Sequence, residues 1–186
     1  MLKSISIRMS AMMCLLPLCG MAAPALGKTK IVNQAITNFS GTRLPESLQS
    51  AISAAIGRDQ KVYRAVANRR CITITNPRSG FQATFTPKGV EVRDHSRSAW
   101  DLELKWFGEG TELQPVAKTR PLADRNQVEY RRGGLVEWYR NGPEGLEQGF
   151  TIARPPKNEA SGILTLALGL AGNMTATVES NRTGLL

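Results

Sequence analysis

Tyr130-Arg131-Arg132-Gly133-Gly134-Leu135-Val136-Glu137-Trp138-Tyr139-Arg140-Asn141-Gly142-Pro143-Glu144-Gly145-Leu146-Glu147-Gln148-Gly149-Phe150 is the densest stretch of the chain, and it reads as strands joined by turns. The doublet Gly133-Gly134 tolerates positive φ, which predicts a tight hairpin between Val128–Tyr130 and Leu135–Tyr139. Asn141-Gly142-Pro143 is a second turn signal, Glu144 and Glu147 read as turn residues, and a strand follows at Phe150–Ala153. The candidate site residues sit here: Glu137, Trp138, Tyr139, Asn141, Glu147 and Gln148. In one reading they are a packing motif that ties hairpin to turn, since aromatics beside turns are usually core. In the other they form a binding ledge.

Working outward, the same period of two recurs. Ile72 and Ile74 alternate with threonines, and Asn76-Pro77 breaks the run. Phe81, Ala83 and Phe85 then pair through Pro87-Lys88-Gly89 with Val90 and Val92. Trp100, Leu102, Leu104 and Trp106 share one phase, which places both tryptophans in the core rather than on a sugar-stacking platform. A short strand is expected near Leu113–Val116 and a last one over Ile163–Leu170. One helix precedes them, with Pro45 at its start, Leu48, Ile52, Ala55 and Ile56 on one face and Gly57 as its stop. The fold class is therefore mainly β, an antiparallel β-sandwich or jelly-roll-like pair of sheets with one short N-terminal amphipathic helix.

The chain begins with Lys3 and Arg8, runs apolar from Ala11 to Ala25 and reaches Ala23-Pro24-Ala25. These are the three parts of a secretory signal peptide, and the run is short of the roughly 20 residues of a membrane span. Cleavage is expected after Ala25 or Gly27. The organisation that follows is a signal peptide over 1–27, an extended lead-in over 28–44, one β-rich domain over 45–180 and a tail over 181–186. Cys14 and Cys19 would leave with the leader; neither follows a small residue as a lipid-anchor site requires, and Cys71 alone remains as a small strand residue.

Net charge is +9 for the chain; without Lys3 and Arg8 there are 22 basic against 15 acidic residues, or +7. Such a surface makes anionic cell-surface polysaccharide a candidate partner. The arginines are scattered, with only Arg69-Arg70 and Arg131-Arg132 adjacent, and no basic block is interleaved with aromatics, which argues against specific nucleic-acid binding. The single histidine, His95, has no second His or Cys at ligand spacing, so neither metal nor cofactor is implied. Glu129, Glu137, Glu144 and Glu147 are the closest carboxylates. A glycosidase needs two facing carboxyls about 5–9 Å apart, and Glu137 with Glu129 across the hairpin would be that pair; the plainer reading makes them partners of Arg131, Arg132 or Arg140.

Three stretches carry a resemblance: N-P-R-S-G-F-Q-A-T-F-T-P-K-G-V over Asn76–Val90, W-x-L-x-L from Trp100, and N-Q-V-E-Y-R-R-G-G-L-V-E-W-Y-R-N-G-P-E-G-L-E-Q-G-F-T over Asn126–Thr151, followed by the L-x-L-x-L strand. Together they resemble, over about residues 45–175, the N-terminal module of large exported bacterial FG-GAP (integrin-alpha-like) repeat proteins. The resemblance implies a non-enzymatic module that precedes propeller-type repeats, with a structural, adhesive or binding role at the bacterial cell surface or extracellularly; the exported chain is expected outside the cell, at its surface or in the periplasm. No repeat is present here, so the chain is expected to be truncated before them and its sheet to have an open edge prone to self-association. The alternative is a carbohydrate-binding or carbohydrate-active sandwich that uses Glu137 with a nearby carboxylate.

Overall fold

The computed structural model describes residues 3–9, 44–96, 98–110, 112–153 and 163–173. The elements in order are β1 (Lys3–Met9), α1 (Glu46–Asp59), a 3-10 turn (Lys61–Tyr63), β2 (Val66–Ala67), β3 (Ile72–Asn76), β4 (Phe81–Thr86), β5 (Gly89–Asp94), β6 (Ala99–Glu109), β7 (Glu112–Pro115), β8 (Leu122–Asp124), β9 (Gln127–Arg132), β10 (Leu135–Gly142), β11 (Gly145–Ile152) and β12 (Leu164–Gly172). They form two antiparallel sheets. One has the order β1-β11-β10-β9-β8; the other has the order β12-β6-β5-β4-β3-β2, with β7 also paired to β6. Most neighbours in space are neighbours in sequence, as tight turns between short alternating strands dictate. Two meanders face one another, and β12 returns to the β2–β6 meander beside β6.

The layers close because the longer strands carry one apolar face each. Ile72, Ile74, Phe81, Ala83, Phe85, Val90, Val92 and Leu102 of one sheet pack against Val128, Tyr130, Tyr139 and Leu146 of the other. A second group, Leu104, Leu135, Phe150 and Ile152, continues the core, and Leu168 touches both groups. Phe85 and Tyr139 meet edge to face across the layers with ring centroids 5.1 Å apart.

Three expectations change on contact with the fold. β6 keeps its phase only to Leu104. Opposite it, Leu168 pairs with Leu104 and Ala167 with Trp106, so Lys105 is an extra residue in a β-bulge. The bulge turns Trp106 outward, where it is 42% exposed, and brings Phe107 against the core instead. The helix does not stop at Gly57 but runs to Asp59, and its stripe of Leu48 and Ile52 stays exposed at 44% and 41%. The docked face is the small one, Ser50, Ser53, Ala54 and Gly57, at the i, i+3, i+4, i+7 spacing. A Cβ on Gly57 would collide with the Asn141 carbonyl, and one on Gly142 with Ser53. Lastly, the Leu146–Gln148 segment is strand rather than turn, because β11 begins at Gly145.

Candidate functional site

The β9–β10 hairpin closes over Gly133-Gly134, with Leu135 opposite Arg132 and Gly133 at φ 67°. Alternation along β10 then sorts its side chains. Glu137, Tyr139 and Asn141 are buried and face the opposite sheet, while Trp138 and Arg140 face away from it. The next turn sets Tyr139 opposite Gln148, Trp138 opposite Gly149 and Arg140 opposite Glu147. The six candidate residues therefore divide, with Glu137, Tyr139, Asn141 and Gln148 inside and Trp138 and Glu147 outside.

Inside, Glu137 is 2% exposed and lies at the centre of a polar knot. The Tyr139 hydroxyl donates to its Oε1 at 2.7 Å, Gln148 Nε2 donates to the same oxygen at 3.0 Å, and Arg132 Nη2 donates to Oε2 at 3.1 Å. Gln148 Nε2 also lies 2.9 Å from the Tyr139 hydroxyl, which accepts from it. The Arg132 side chain, only 4% exposed, stacks over the Tyr130 ring at 4.9 Å and reaches the Ala117 carbonyl. Burial first, and the Glu137 charge after it, push the Tyr139 hydroxyl well above its ordinary pKa and raise Tyr130 in the same way. Both phenols stay protonated as donors. Tyr130 places its one proton between the Thr86 and Gly89 carbonyls, each 2.9 Å away, and so joins the two sheets.

Asn141 is a second tie. Its Nδ2 donates to the carbonyls of Tyr63 and Thr75 at 3.0 and 3.1 Å, and its Oδ1 accepts from Asn76 Nδ2 at 2.8 Å. Asn76 Nδ2 also donates to the Gly142 carbonyl, and Asn126 Nδ2 donates to the Asn141 carbonyl. Three asparagines thus bind β3, β10 and the 3-10 turn together, and α1 is held by Ser53, whose hydroxyl accepts from the Glu144 amide at 3.0 Å.

Outside, the Trp138 ring lies over Gly149, where a Cβ would stand 2.1 Å from the indole. Arg140 stacks over the ring, 4.7 Å from its centroid. Arg140 also reaches Gln127 at 3.3 Å and Glu147 at 3.9 Å, and Ser50 donates to Glu147 at 2.9 Å. An open depression of about 470 Å³ runs along this face, lined by Gln127, Glu129, Arg131, Val136, Trp138, Arg140 and Thr151.

The proposed carboxylate pair does not form. Tyr130, not Glu129, is opposite Glu137, and Glu129 is opposite Trp138, so the two acids point to opposite faces of one sheet. Arg131 pairs with Glu129 at 3.0 Å and Arg132 with Glu137, which is the plainer expectation. Asn76, Asn126 and Tyr130 take part in the arrangement but lie outside the six candidate residues, and Arg132 enters as the glutamate partner already expected. Their one sequence signal is position: both added asparagines stand where a strand meets a turn. Among the described residues no group of three or more His, Cys, Asp or Glu gathers as a metal site, and no helix is long and apolar enough to cross a membrane. No protein-family model matches the chain, and no curated protein or solved structure matches it.

Proposed function

We propose that the chain is a non-enzymatic exported module with a structural or adhesive role at the bacterial cell surface, akin to the N-terminal module of FG-GAP repeat proteins. One observation carries this reading: the polar side chains inside the motif, Glu137, Tyr139, Asn141 and Gln148, are occupied in bonds that join strand to strand and sheet to sheet. A two-carboxylate hydrolase needs acids that face one cleft with room for a sugar, and Glu137 faces the interior. The start of the sequence supports export, with Lys3 and Arg8 ahead of an apolar run and a small-residue site. Anionic polysaccharide is the ligand class that a net charge of +7 favours, and the face bearing Arg131 and Arg140 beside Trp138 is the ledge to offer it.

The test is to express the full chain with a C-terminal epitope in a bacterial host and sequence its N-terminus by mass spectrometry. The expected product lies outside the cytoplasm and begins at Leu26 or Lys28. A cytoplasmic product that retains the leader overturns the export reading. Retention of the product on immobilised anionic polysaccharide should weaken with salt and with Arg131→Ala/Arg140→Ala; retention that ignores both removes the ledge from the proposal.

A further inference from the structure

β12 is the last strand of its sheet. β6 pairs with one side of it from Leu164 to Gly172, and among the described residues no strand pairs with the other side. The bonds just beyond its two ends show which backbone groups are left over. Gly110 donates to the Ile163 carbonyl, and Asn173 donates to the Ala99 carbonyl, so the odd-numbered residues of β12 turn their backbone groups to β6. In an antiparallel ladder the alternate residues point the other way, and these are Leu164, Leu166, Leu168, Leu170 and Gly172. The β-bulge does not disturb this alternation, because its extra residue, Lys105, is on β6.

Bare edges are normally guarded by brevity, charge or proline. The other edge strands follow that rule. β8 has three residues and ends in the exposed Asp124, β2 has two residues, β7 carries Glu112 and Pro115, and β1 carries Lys3 and Arg8. β12 runs for nine residues without a charge or a proline. Its leucines share the inner face, where Leu164, Leu166 and Leu168 pack on the core while Leu170 stays 44% exposed.

We infer that β12 is a self-pairing edge: two copies of the chain join β12 to β12, antiparallel, about a two-fold axis through Leu168, so that the sheet of one copy continues into the other. The inference needs neither export nor a ligand.

Hydrogen bonding selects the register. An antiparallel pair must set outward-pointing residues opposite outward-pointing ones. With Leu168 opposite its own copy, Leu166 meets Leu170 and Leu164 meets Gly172, and every outward group of the strand finds a partner. Moving the axis to Ala167 leaves Gly172 without a partner in the strand, and moving it to Gly169 leaves out Leu164.

The side chains select the occupant. Directly opposite residues share a face, so the exposed Leu170 of each copy lies beside the half-buried Leu166 of the other. A two-fold axis normal to the sheet keeps both leucine rows on one side. On the solvent side Thr165 meets Ala171 and Ala167 meets Gly169, small residues throughout. The strand reads alike in both directions, leucine or glycine on one face and threonine, alanine or glycine on the other, so a second copy supplies the complement that an unrelated strand would have to match by chance.

The test is sedimentation velocity of the full chain at about 5 and about 100 µM, which brackets the weak affinity of a small interface. A monomer–dimer equilibrium is expected. Leu170→Pro removes an outward N–H and no bond to β6, and should weaken the dimer about tenfold or more. Two solvent-face variants then read the register. Thr165→Lys/Ala171→Lys sets like charges opposite each other across the axis and should dissociate the dimer, whereas Thr165→Glu/Ala171→Lys sets opposite charges there and should restore it. These two also decide the matter should Leu170→Pro fail to fold. A chain that is monomeric at both concentrations overturns the inference; slow amide exchange at Leu166, Leu168 and Leu170 in that monomer would give the edge to another segment of the same chain. A dimer indifferent to all three variants is built on a different surface and overturns the inference as well. A dimer that the two charge variants weaken equally overturns the Leu168 register.

Discussion

The β9–β10–β11 hairpins carry one three-part arrangement twice, an arginine stacked on an aromatic ring and paired with a glutamate. On the inner face Arg132 lies over Tyr130 and holds Glu137; on the outer face Arg140 lies over Trp138 and leans on Glu147. The ring distances are nearly equal, 4.9 and 4.7 Å, while the ion pairs measure 3.1 and 3.9 Å. What separates them is water. Arg132 is 4% exposed and Arg140 is 34% exposed. The same contacts fix the core in one place and decorate a surface in the other, because a buried charge that loses its partner cannot turn to solvent.

The sharpest way to break the comparison is Arg132→Met. It leaves Glu137 buried without its cation, and the expected cost is about 3–5 kcal/mol of unfolding free energy, read as a lower urea midpoint at constant slope. A cost near that of an exposed pair would mean that water reaches Glu137. The inner face should also answer to alkali. Tyrosines in the unfolded chain titrate near pH 10, whereas Tyr130 and Tyr139 keep their protons to higher pH when folded. Below about pH 10 both states hold these protons and stability is insensitive to them; above it the unfolded state releases them first, so stability falls as pH rises. Phenolate absorbance from the two should appear together with unfolding, and its appearance in a folded chain would contradict the dry knot.

Asn141→Ala is next. It removes the donor to two carbonyls and the acceptor for Asn76 from a fully buried position, and about 3 kcal/mol is expected. Since those bonds reach from β10 to β3 and to the 3-10 turn, amide exchange should quicken at Tyr63–Thr75 as well as in the hairpin. Exchange confined to β10 would show that Asn141 does not tie the sheets.

These contrasts also show why part of the molecule was readable in the sequence. Strands announce themselves through local alternation, so the Gly133-Gly134 hairpin, the Phe81–Val92 hairpin and the sandwich class follow from residues a few positions apart. The Lys105 bulge does not, because only pairing with β12 reveals an extra residue, and strict alternation from Trp100 therefore puts Trp106 on the core face. Gly149 carries no periodic signal, and its role, to make room for an indole from the neighbouring strand, shows only once the strands are paired. The helix misled through its leucine and isoleucine, since close approach to the Asn141 carbonyl favours the smallest side chains. The asparagine ties join residues 65 positions apart, beyond any periodicity.

Gly149→Ala tests the outer face at its floor. The added methyl would meet the Trp138 ring, and displacing the indole is expected to cost about 1–3 kcal/mol. A shift of tryptophan emission toward the red should accompany it, as the ring leaves its place over Gly149. An unchanged spectrum would mean that the backbone, not the ring, gives way.

Arg140→Ala is the smallest change and the one that makes the comparison quantitative. The side chain loses its stacking on Trp138 and a 3.9 Å pair with Glu147. Exposed cation–π and ion-pair contacts are each worth about 1 kcal/mol or less, so the expected loss is at most about 2 kcal/mol, below that of Arg132→Met. Salt then separates the two mechanisms. With a Debye length of about 10 Å at 0.1 M and about 3 Å at 1 M, the outer pair is screened and the inner pair is not. The Arg140 effect should shrink between those concentrations while the Arg132 effect holds. Equal salt dependence at both positions would mean that burial is not what distinguishes the two arginines, and the contrast between the faces would have to be rebuilt on geometry alone.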